Sequence, residues 1–255
     1  MRSWSEFYDP DFYESKIGEG KRVAPEYVSL LSKQKERVLE LGCGPGEILI
    51  ALAQQGHSVI GLDSSERMLN RARSNVARLD EELQQRIDFT CADFASFTLA
   101  SKVSAVILPN EAVAHLLSPE ALMLTMKNCY AALGEEGHLL LDVPKHNFRR
   151  LADATGVGKD RLYCRGFYPT GAGELSIRVM EQLYFDEADF VIKTIFSYET
   201  ISAEGKLINT QFRELVQRLW TKQEVAFCLR ACGFLEVSIF EMPSLDDRWF
   251  IKASR

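Results

Sequence analysis

Two glycines placed directly after an apolar run are the first residues of this sequence that suggest chemistry. Residues 38–41 lead into the turn Gly42-Cys43-Gly44-Pro45-Gly46, and residues 47–55 have the spacing of a helix. Gly42 and Gly44 lack a Cβ, so a ligand can lie against the main chain where the strand ends. The pattern predicts a buried strand, a ligand-binding turn and a helix, an arrangement that suits many nucleotide-binding proteins.

Carboxylates around this turn restrict the kind of ligand that it can bind. Glu47 stands where a dinucleotide-binding turn has its third glycine, and Glu40 precedes the turn, so a pyrophosphate would be repelled and a cationic ligand tolerated. Asp63 ends the next apolar run, about 20 residues after the glycines, where a carboxylate accepts hydrogen bonds from ribose hydroxyls. Together these residues predict an adenosine ligand with a cationic tail that carries no phosphate.

These segments resemble the first two motifs of the class I S-adenosylmethionine-dependent methyltransferases. The similar segments are residues 40–46, 61–69, 91–94, 109–111 with 115–117, and 133–139. The resemblance covers about residues 36–145 well and the remainder poorly. It implies S-adenosyl-L-methionine as cofactor, S-adenosyl-L-homocysteine as product, and the small-molecule branch of the family.

Strand ends and the resemblance together predict the cofactor site. Asp93 follows a third predicted strand, residues 87–91. Its carboxylate can accept a hydrogen bond from the adenine amino group or, alternatively, cap a turn. Met68 either packs on the adenine or belongs to the core. The predicted cofactor-binding residues are Glu40, Gly42, Cys43, Gly44, Asp63, Ser64, Met68, Asp93, Phe94 and Pro109.

The tripeptide Pro109-Asn110-Glu111 follows the fourth predicted strand, residues 103–108. In an open α/β sheet this position borders the crevice at the topological switch point, so the tripeptide should face the transferable methyl group. Methyltransferases that act on nucleic-acid bases carry Asn or Asp, two prolines and an aromatic residue here. This sequence differs, which argues against base methylation.

His115 lies four residues after Glu111, so a helix would place both on one face. Either residue can accept a proton from the substrate nucleophile. Alternatively, His115 only contacts the substrate or packs, because methyl transfer depends mainly on a near-attack geometry. The predicted catalytic residues are His115 and Glu111, and the predicted substrate-binding residues are Tyr8, Tyr13, Asn110, His115 and Arg165.

The order of predicted elements favours an α/β fold, a doubly wound, seven-stranded, mostly parallel Rossmann-like sheet with an antiparallel β insertion. Alternating β-branched and aromatic residues in 175–185, 190–201 and 207–219 predict the inserted strands. Half-buried strands need a partner surface, so the insertion is either a lid or a dimer element. The predicted domains are a helical cap (1–35), the cofactor-binding core (36–145), the β insertion (146–219) and a helix with a strand pair that completes the core (220–255).

Composition restricts the partners. The 255 residues are 46% hydrophobic and carry a formal net charge of −6, which argues against a broad nucleic-acid or anionic-membrane surface. Neither a membrane-spanning apolar run nor a signal-peptide segment is evident, so a cytoplasmic location is expected. We expect a monomer or homodimer that acts on a small molecule. The six cysteines lack CxxC spacing, which predicts reduced thiols and no metal site.

Two other functions fit the same turn. An NAD(P)-dependent oxidoreductase uses a similar strand, turn and helix, although Glu47 disfavours it. A non-catalytic protein that binds S-adenosylmethionine and uses the β insertion for a partner is also consistent with the sequence.

Overall fold

A computed structural model of the chain describes residues 23–31, 35–153, 155, 161–169 and 175–255. Tyr8, Tyr13 and most of the predicted N-terminal cap lie outside these residues. The chain forms two compact units: residues up to Lys145 together with Trp220–Arg255, and His146–Leu219.

The described helices and strands alternate through the first half of the chain. In chain order they are α1 (Ala24–Leu31), β1 (Arg37–Leu41), α2 (Glu47–Gln54), β2 (Ser58–Asp63), α3 (Glu66–Val76), α4 (Glu81–Gln84), β3 (Ile87–Cys91), β4 (Val103–Leu108), a 3-10 helix (Ala112–His115), α5 (Pro119–Ala132), β5 (Leu133–Pro144), α6 (Phe148–Asp153), β6 (Leu162–Pro169), β7 (Leu175–Asp186), β8 (Val191–Ser202), β9 (Leu207–Arg218), α7 (Lys222–Ala231), β10 (Glu236–Met242) and β11 (Leu245–Ser254).

The first unit contains a seven-stranded sheet in the order β10-β11-β5-β4-β1-β2-β3. Strands β1 to β5 pair in parallel, whereas β11 runs antiparallel to β5 and to β10. The chain leaves β1 for β2 on one side and later returns to β4 on the other side. The predicted fold class is confirmed, and the topological switch point lies between β1 and β4.

Residues of the central strands alternate between two cores, one on each face of the sheet. Leu39 of β1 and Leu108 of β4 pack in the core that includes α5 and α7. Val38 and Ile107 pack in the core that includes α1, α2 and α3. Because successive side chains of a strand point to opposite faces, a strand buried on both faces reads as a continuous apolar run.

Local signals determine where several helices begin. The Ser65 hydroxyl accepts a hydrogen bond from Met68 N at the start of α3, and Ser118 caps α5 ahead of Pro119. Thr221 and Glu224 form a capping box at the start of α7, as their spacing in the sequence indicates. The longest described helix, α5, has 14 residues, and none of the described helices has the length and apolar character needed to cross a bilayer.

The structure differs from the sequence-based expectation of local structure at three places. Gly134 and Gly137 predict a connection between a helix that runs to Leu133 and a strand that begins at His138, but β5 already begins at Leu133, and its pairing with β4 shifts between Val103 and Ala105. Residues 111–117 form only the short 3-10 helix. In the second unit, β6 was not predicted, since a bulge between Cys164 and Gly166 breaks its alternation.

The second unit contains a four-stranded antiparallel sheet in the order β6-β7-β8-β9. Strands β7 and β8 pair along their whole length, from Leu175 with Ser202 to Asp186 with Val191. The inserted strands are therefore antiparallel, as predicted. The assignment of this unit as a lid or a dimer element stays a prediction.

Replacing Gly61 by alanine should destabilise the first unit. A Cβ on Gly61 would lie 2.5 Å from Leu49 Cδ1 and 2.9 Å from Cys43 Sγ, so these two buried side chains would have to shift in a packed core. We expect Gly61→Ala to lower the free energy of unfolding by about 1–3 kcal/mol. Urea denaturation measures the change.

Gly134→Ala is the matched control, because the nearest atom to its Cβ is Val103 O at 3.8 Å, an ordinary contact. A loss of stability in the control as large as in Gly61→Ala would show that close packing is not the cause.

Candidate active site

A cleft lies at the carboxyl ends of β1 to β4, where the glycine turn faces the loop after β4. Most of the predicted site residues line it. The lining residues are Gly42, Gly44, Asp63, Ser64, Ser65, Met68, Asp93, Phe94, Pro109, Asn110, Ala112, His115 and Leu116. The tertiary fold therefore brings together segments that are separated by up to about 70 residues.

The glycine turn is attached to the end of β2 by main-chain hydrogen bonds. Gly42 N and Cys43 N both donate to Leu62 O, at 2.7 and 3.1 Å. Gly42 and Gly44 have φ angles of 77° and 51°, in the left-handed region that glycine adopts at little cost. These bonds hold the turn against the neighbouring strand.

Asp63 joins the turn to the start of α3. One carboxylate oxygen accepts from Gly44 N at 2.9 Å, and the other accepts from Ser65 N at 2.8 Å. Burial raises the pKa of Asp63, while the backbone donors Ser65, Gly44 and Ser64 act in the opposite direction. A carboxylate has about four acceptor positions, so capacity for ribose hydroxyls remains.

Glu40 is a buried carboxylate beneath the turn, with 2% of its surface exposed. Its Oε2 atom has no hydrogen-bond partner among the described residues. Burial raises the pKa of Glu40 well above its usual value, and Asp63 and Glu47 raise it further. Such a group of acids stabilises a positive charge bound nearby and disfavours a phosphate.

Asp93 caps a turn and also lies at the cleft, while its contact with adenine stays a prediction. Its carboxylate accepts a hydrogen bond from Ala95 N at 2.8 Å, which forms a turn, and the residue also lines the cleft. Phe94 lies above the glycine turn, since a Cβ on Gly42 would be 3.2 Å from Phe94 Cζ. Met68 is 3% exposed and lines the same cleft, so its core and ligand roles are compatible.

Four of the predicted site residues that the structure describes lie outside the cleft lining: Glu40, Cys43, Glu111 and Arg165. The Cys43 side chain packs beside Gly61 of β2 and is 4% exposed, so its contribution to a ligand site would come from the main chain. Glu111 precedes the 3-10 helix with φ 60°, and its carboxylate lies 3.8 Å from the Arg248 guanidinium. The shared helical face of Glu111 and His115 is therefore not formed.

His115 lines the cleft near Asn110 and is half-buried. Burial lowers the pKa of His115 to about 4, so the imidazole is neutral at pH 7. A group with this pKa is a weak base at neutrality, and a neutral imidazole is better suited to hydrogen bonding with a substrate.

Arg165, predicted to bind substrate, belongs to the second unit. Its guanidinium lies 3.3 Å from the buried carboxylate of Glu181. The described residues contain no group of three or more His, Cys, Asp or Glu side chains that could hold a metal ion.

Sequence comparisons identify the relatives of this chain. The family described as a methyltransferase domain matches residues 38–137. The putative methyltransferase YqeM of Bacillus subtilis (strain 168) is 34% identical over 236 residues, which cover 87% of this chain and 85% of that protein. The chain belongs to the class I S-adenosylmethionine-dependent methyltransferases. This membership replaces the oxidoreductase alternative.

Solved structures show the same fold. CalS10, described as an amino pentose methyltransferase from Micromonospora echinaspora, matches with a TM-score of 0.72 and 19% identity, over 96% of this methyltransferase and 95% of CalS10. KedS8, a sugar N-methyltransferase from Streptoalloteichus sp ATCC 53650, matches with a TM-score of 0.74 and 15% identity, over 100% and 96% of the two chains.

The cofactor of this methyltransferase is S-adenosylmethionine, and the cleft fits it. The glycine turn leaves the main chain open, Asp63 has acceptor capacity, and the orphan oxygen of Glu40 lies in a negative environment suited to a sulfonium cofactor. The features agree with the ligand that the sequence predicts.

Sequence reasoning missed several residues of the site. Ser65, Ala112 and Leu116 line the cleft, although the only local signal at Ser65 is that of a helix cap. Their small or apolar side chains carry no chemical signal of their own. The signal that could have identified them is that they are adjacent in the sequence to the predicted site residues Ser64, Glu111 and His115.

The buried state of His115 should be visible as a pH-dependent loss of stability. In the folded protein the pKa is about 4, and in the unfolded chain it is about 6.5, so the unfolded chain binds more protons between these values. The contribution of the neutral His115 to the free energy of unfolding is therefore complete above about pH 6.5, and it decreases as the pH falls towards about 4.

Comparing wild type with His115→Gln by urea denaturation across this range isolates the effect, because glutamine does not titrate. We expect the wild type to lose stability relative to the variant as pH falls. Parallel stability curves, or a His115 NMR titration near pH 6.5, would contradict the buried neutral state.

Proposed function

We propose that this methyltransferase acts on a small-molecule acceptor, by direct transfer of the methyl group to a nucleophile held at the β4 end of the cleft. The observation that carries the proposal is the charge of the lining. Asp63 and Asp93 line the cleft, and none of the described lining residues is Lys or Arg. A nucleic acid or a polyphosphate needs cationic contacts, so a small acceptor without phosphate is favoured.

The cofactor half of the cleft would be formed by the turn and the two aspartates. Asp63 would accept hydrogen bonds from the ribose hydroxyls, and Asp93 would accept one from the adenine amino group. Met68 and Phe94 would provide apolar contacts. When bound, S-adenosylmethionine supplies a methyl group activated by its sulfonium charge. Glu40 would stabilise positive charge near the turn.

The acceptor half would be formed by Asn110 and His115. The Asn110 amide has donors and an acceptor, and the neutral imidazole of His115 has one of each. These groups can orient the lone pair of an amine or a hydroxyl towards the methyl group. Because the pKa of His115 is about 4, orientation rather than strong proton abstraction is the role that the site supports.

Names of related proteins favour the same substrate class. Ubiquinone biosynthesis O-methyltransferase of Coxiella burnetii (strain RSA 493 / Nine Mile phase I) is 30% identical over 114 residues, 45% of this chain and 46% of that protein. Together with the sugar methyltransferases of the same fold, it supports a screen of both amine and hydroxyl acceptors.

Asp63→Ala should weaken cofactor binding. The change removes the acceptor for the ribose and also releases Gly44 N and Ser65 N. Loss of hydrogen bonds to a charged group costs about 1.5–3 kcal/mol each, so the Kd for S-adenosylmethionine should rise at least about 10-fold. Isothermal titration calorimetry with S-adenosylmethionine and S-adenosylhomocysteine measures both affinities.

Asp88→Ala is the matched control, since Asp88 is an exposed aspartate on β3 outside the cleft lining. Unchanged cofactor affinity in Asp63→Ala would overturn the assigned ribose contact. Mass spectrometry of reactions with small amines and hydroxyl compounds then tests turnover. Cofactor binding without transfer to any small acceptor would favour the non-catalytic alternative.

A further inference from the structure

Asp142 is a second buried carboxylate besides Glu40, and it lies on β5, the strand next to β4 in the sheet. Its side chain is completely buried, with 0% of its surface exposed. It accepts hydrogen bonds from the Tyr27 hydroxyl at 2.7 Å, from Glu111 N at 3.0 Å and from Arg248 Nη1 at 3.0 Å. Asp142 therefore joins α1, β11 and the loop that follows β4.

The loop that Asp142 contacts has an unusual backbone. Asn110 and Glu111 have φ angles of 55° and 60°, so two consecutive residues that are not glycine are left-handed. Asparagine adopts this conformation more readily than glutamate, so the larger strain lies at Glu111 unless its surroundings hold it in place. The bond from Glu111 N to Asp142 Oδ2 restrains this turn from outside the loop.

Arg248 completes the restraint. Its side chain is 11% exposed, and the guanidinium makes two hydrogen bonds to Asp247 at 2.9 and 3.1 Å and one to Asp142. It also lies 3.8 Å from the Glu111 carboxylate. Because a buried carboxylate is stable only when it is paired and hydrogen-bonded, Arg248 keeps Asp142 able to accept the Glu111 N–H.

The loop connects this network to the acceptor end of the cleft. Asn110 lines the cleft, and the 3-10 helix that carries His115 begins immediately after Glu111. Ala114 N donates to Glu111 O at 2.8 Å, so the conformation at Glu111 determines where this helix begins. The glycine turn, in contrast, is held by Asp63 and Leu62.

We propose that Asp142 is a positioning residue for methyl transfer, which holds the left-handed turn at Asn110 and Glu111 and so fixes Asn110 and His115 at the acceptor end of the cleft. The proposal rests on the proposed function for its catalytic consequence only. The restraint on the loop itself is a property of the fold that can be measured without an acceptor.

The first test follows His115 by NMR, since the sequence has only four histidines. In Asp142→Ala the released loop should expose the imidazole, and its pKa should rise from about 4 towards about 6.5. His138, with a pKa of about 4 on β5, is the internal control and should not change. An unchanged His115 titration would overturn the proposal even if no acceptor is known.

The second test separates strain from charge with two double variants, Asp142→Ala with Glu111→Gly and Asp142→Ala with Glu111→Ala. Both lack the Glu111 carboxylate, and they differ in the cost of the left-handed conformation, which is lower for glycine. The glycine variant should restore the His115 pKa more than the alanine variant. Equal behaviour of the two would contradict a restraint on backbone conformation.

The third test measures kinetics with an amine or hydroxyl acceptor that the screen identifies. Asp142→Ala should lower kcat/KM for the acceptor about 100-fold, because a small misplacement has an effect of this size, and should leave the Kd for S-adenosylmethionine within about threefold. Asp142→Asn retains one oxygen for Glu111 N and should lose less. An equal loss of cofactor affinity would indicate a general structural role instead.

Stability controls keep these outcomes distinct. Leu229→Ala, in the buried face of α7, should lower the thermal midpoint without changing the His115 pKa or the acceptor KM. If Asp142→Ala does not fold, Asp142→Asn is used instead, and it should change the His115 pKa in the same direction by a smaller amount. Absence of S-adenosylmethionine binding in the wild type would reject the proposed function. The His115 titration would still show whether Asp142 restrains the turn at Asn110 and Glu111.

Discussion

The hydrogen bonds of the Asp63 carboxylate connect three parts of the molecule at one strand end. Gly44 N and Ser65 N donate to its two oxygens, so the turn after β1 and the start of α3 are held by the last residue of β2. A glycine turn has many accessible conformations when it is free. The carboxylate selects one of them, and the cleft depends on that selection.

The opposite side of the switch point uses the same physical device with a different residue. There the Asp142 carboxylate accepts the Glu111 N–H and holds a turn that contains no glycine. One acid thus orders the cofactor half, where glycines leave room for a ligand. The other orders the loop after β4, where side chains are needed and glycine would supply none.

Burial has opposite consequences for the acids and the imidazole of the first unit. It raises the pKa of Glu40 and Asp142, and it lowers the pKa of His115. Each shift reduces charge in a low-dielectric environment. Arg248 compensates Asp142 by pairing with its carboxylate, whereas His115 is neutral at pH 7.

The sequence by itself determined the features that depend on neighbouring residues. The glycine turn, Asp63 at the end of β2, the Ser118-Pro119 helix start and the capping box at Thr221 are encoded by short patterns, and the parallel order of the first strands follows from their alternation with helices. Because parallel strands end at one edge of the sheet, most of the predicted cofactor residues line one cleft.

Only the tertiary structure decided how the loop after β4 is held. Tyr27 and Arg248 are 115 and 106 residues from Asp142 in the sequence, and no local pattern links them. The left-handed conformation of Glu111 has no local signal either, because glutamate rarely adopts it, and here a distant carboxylate accepts the Glu111 N–H. Hydrogen bonds between remote segments form only after packing brings them together, so the position of His115 in the cleft was settled by the fold.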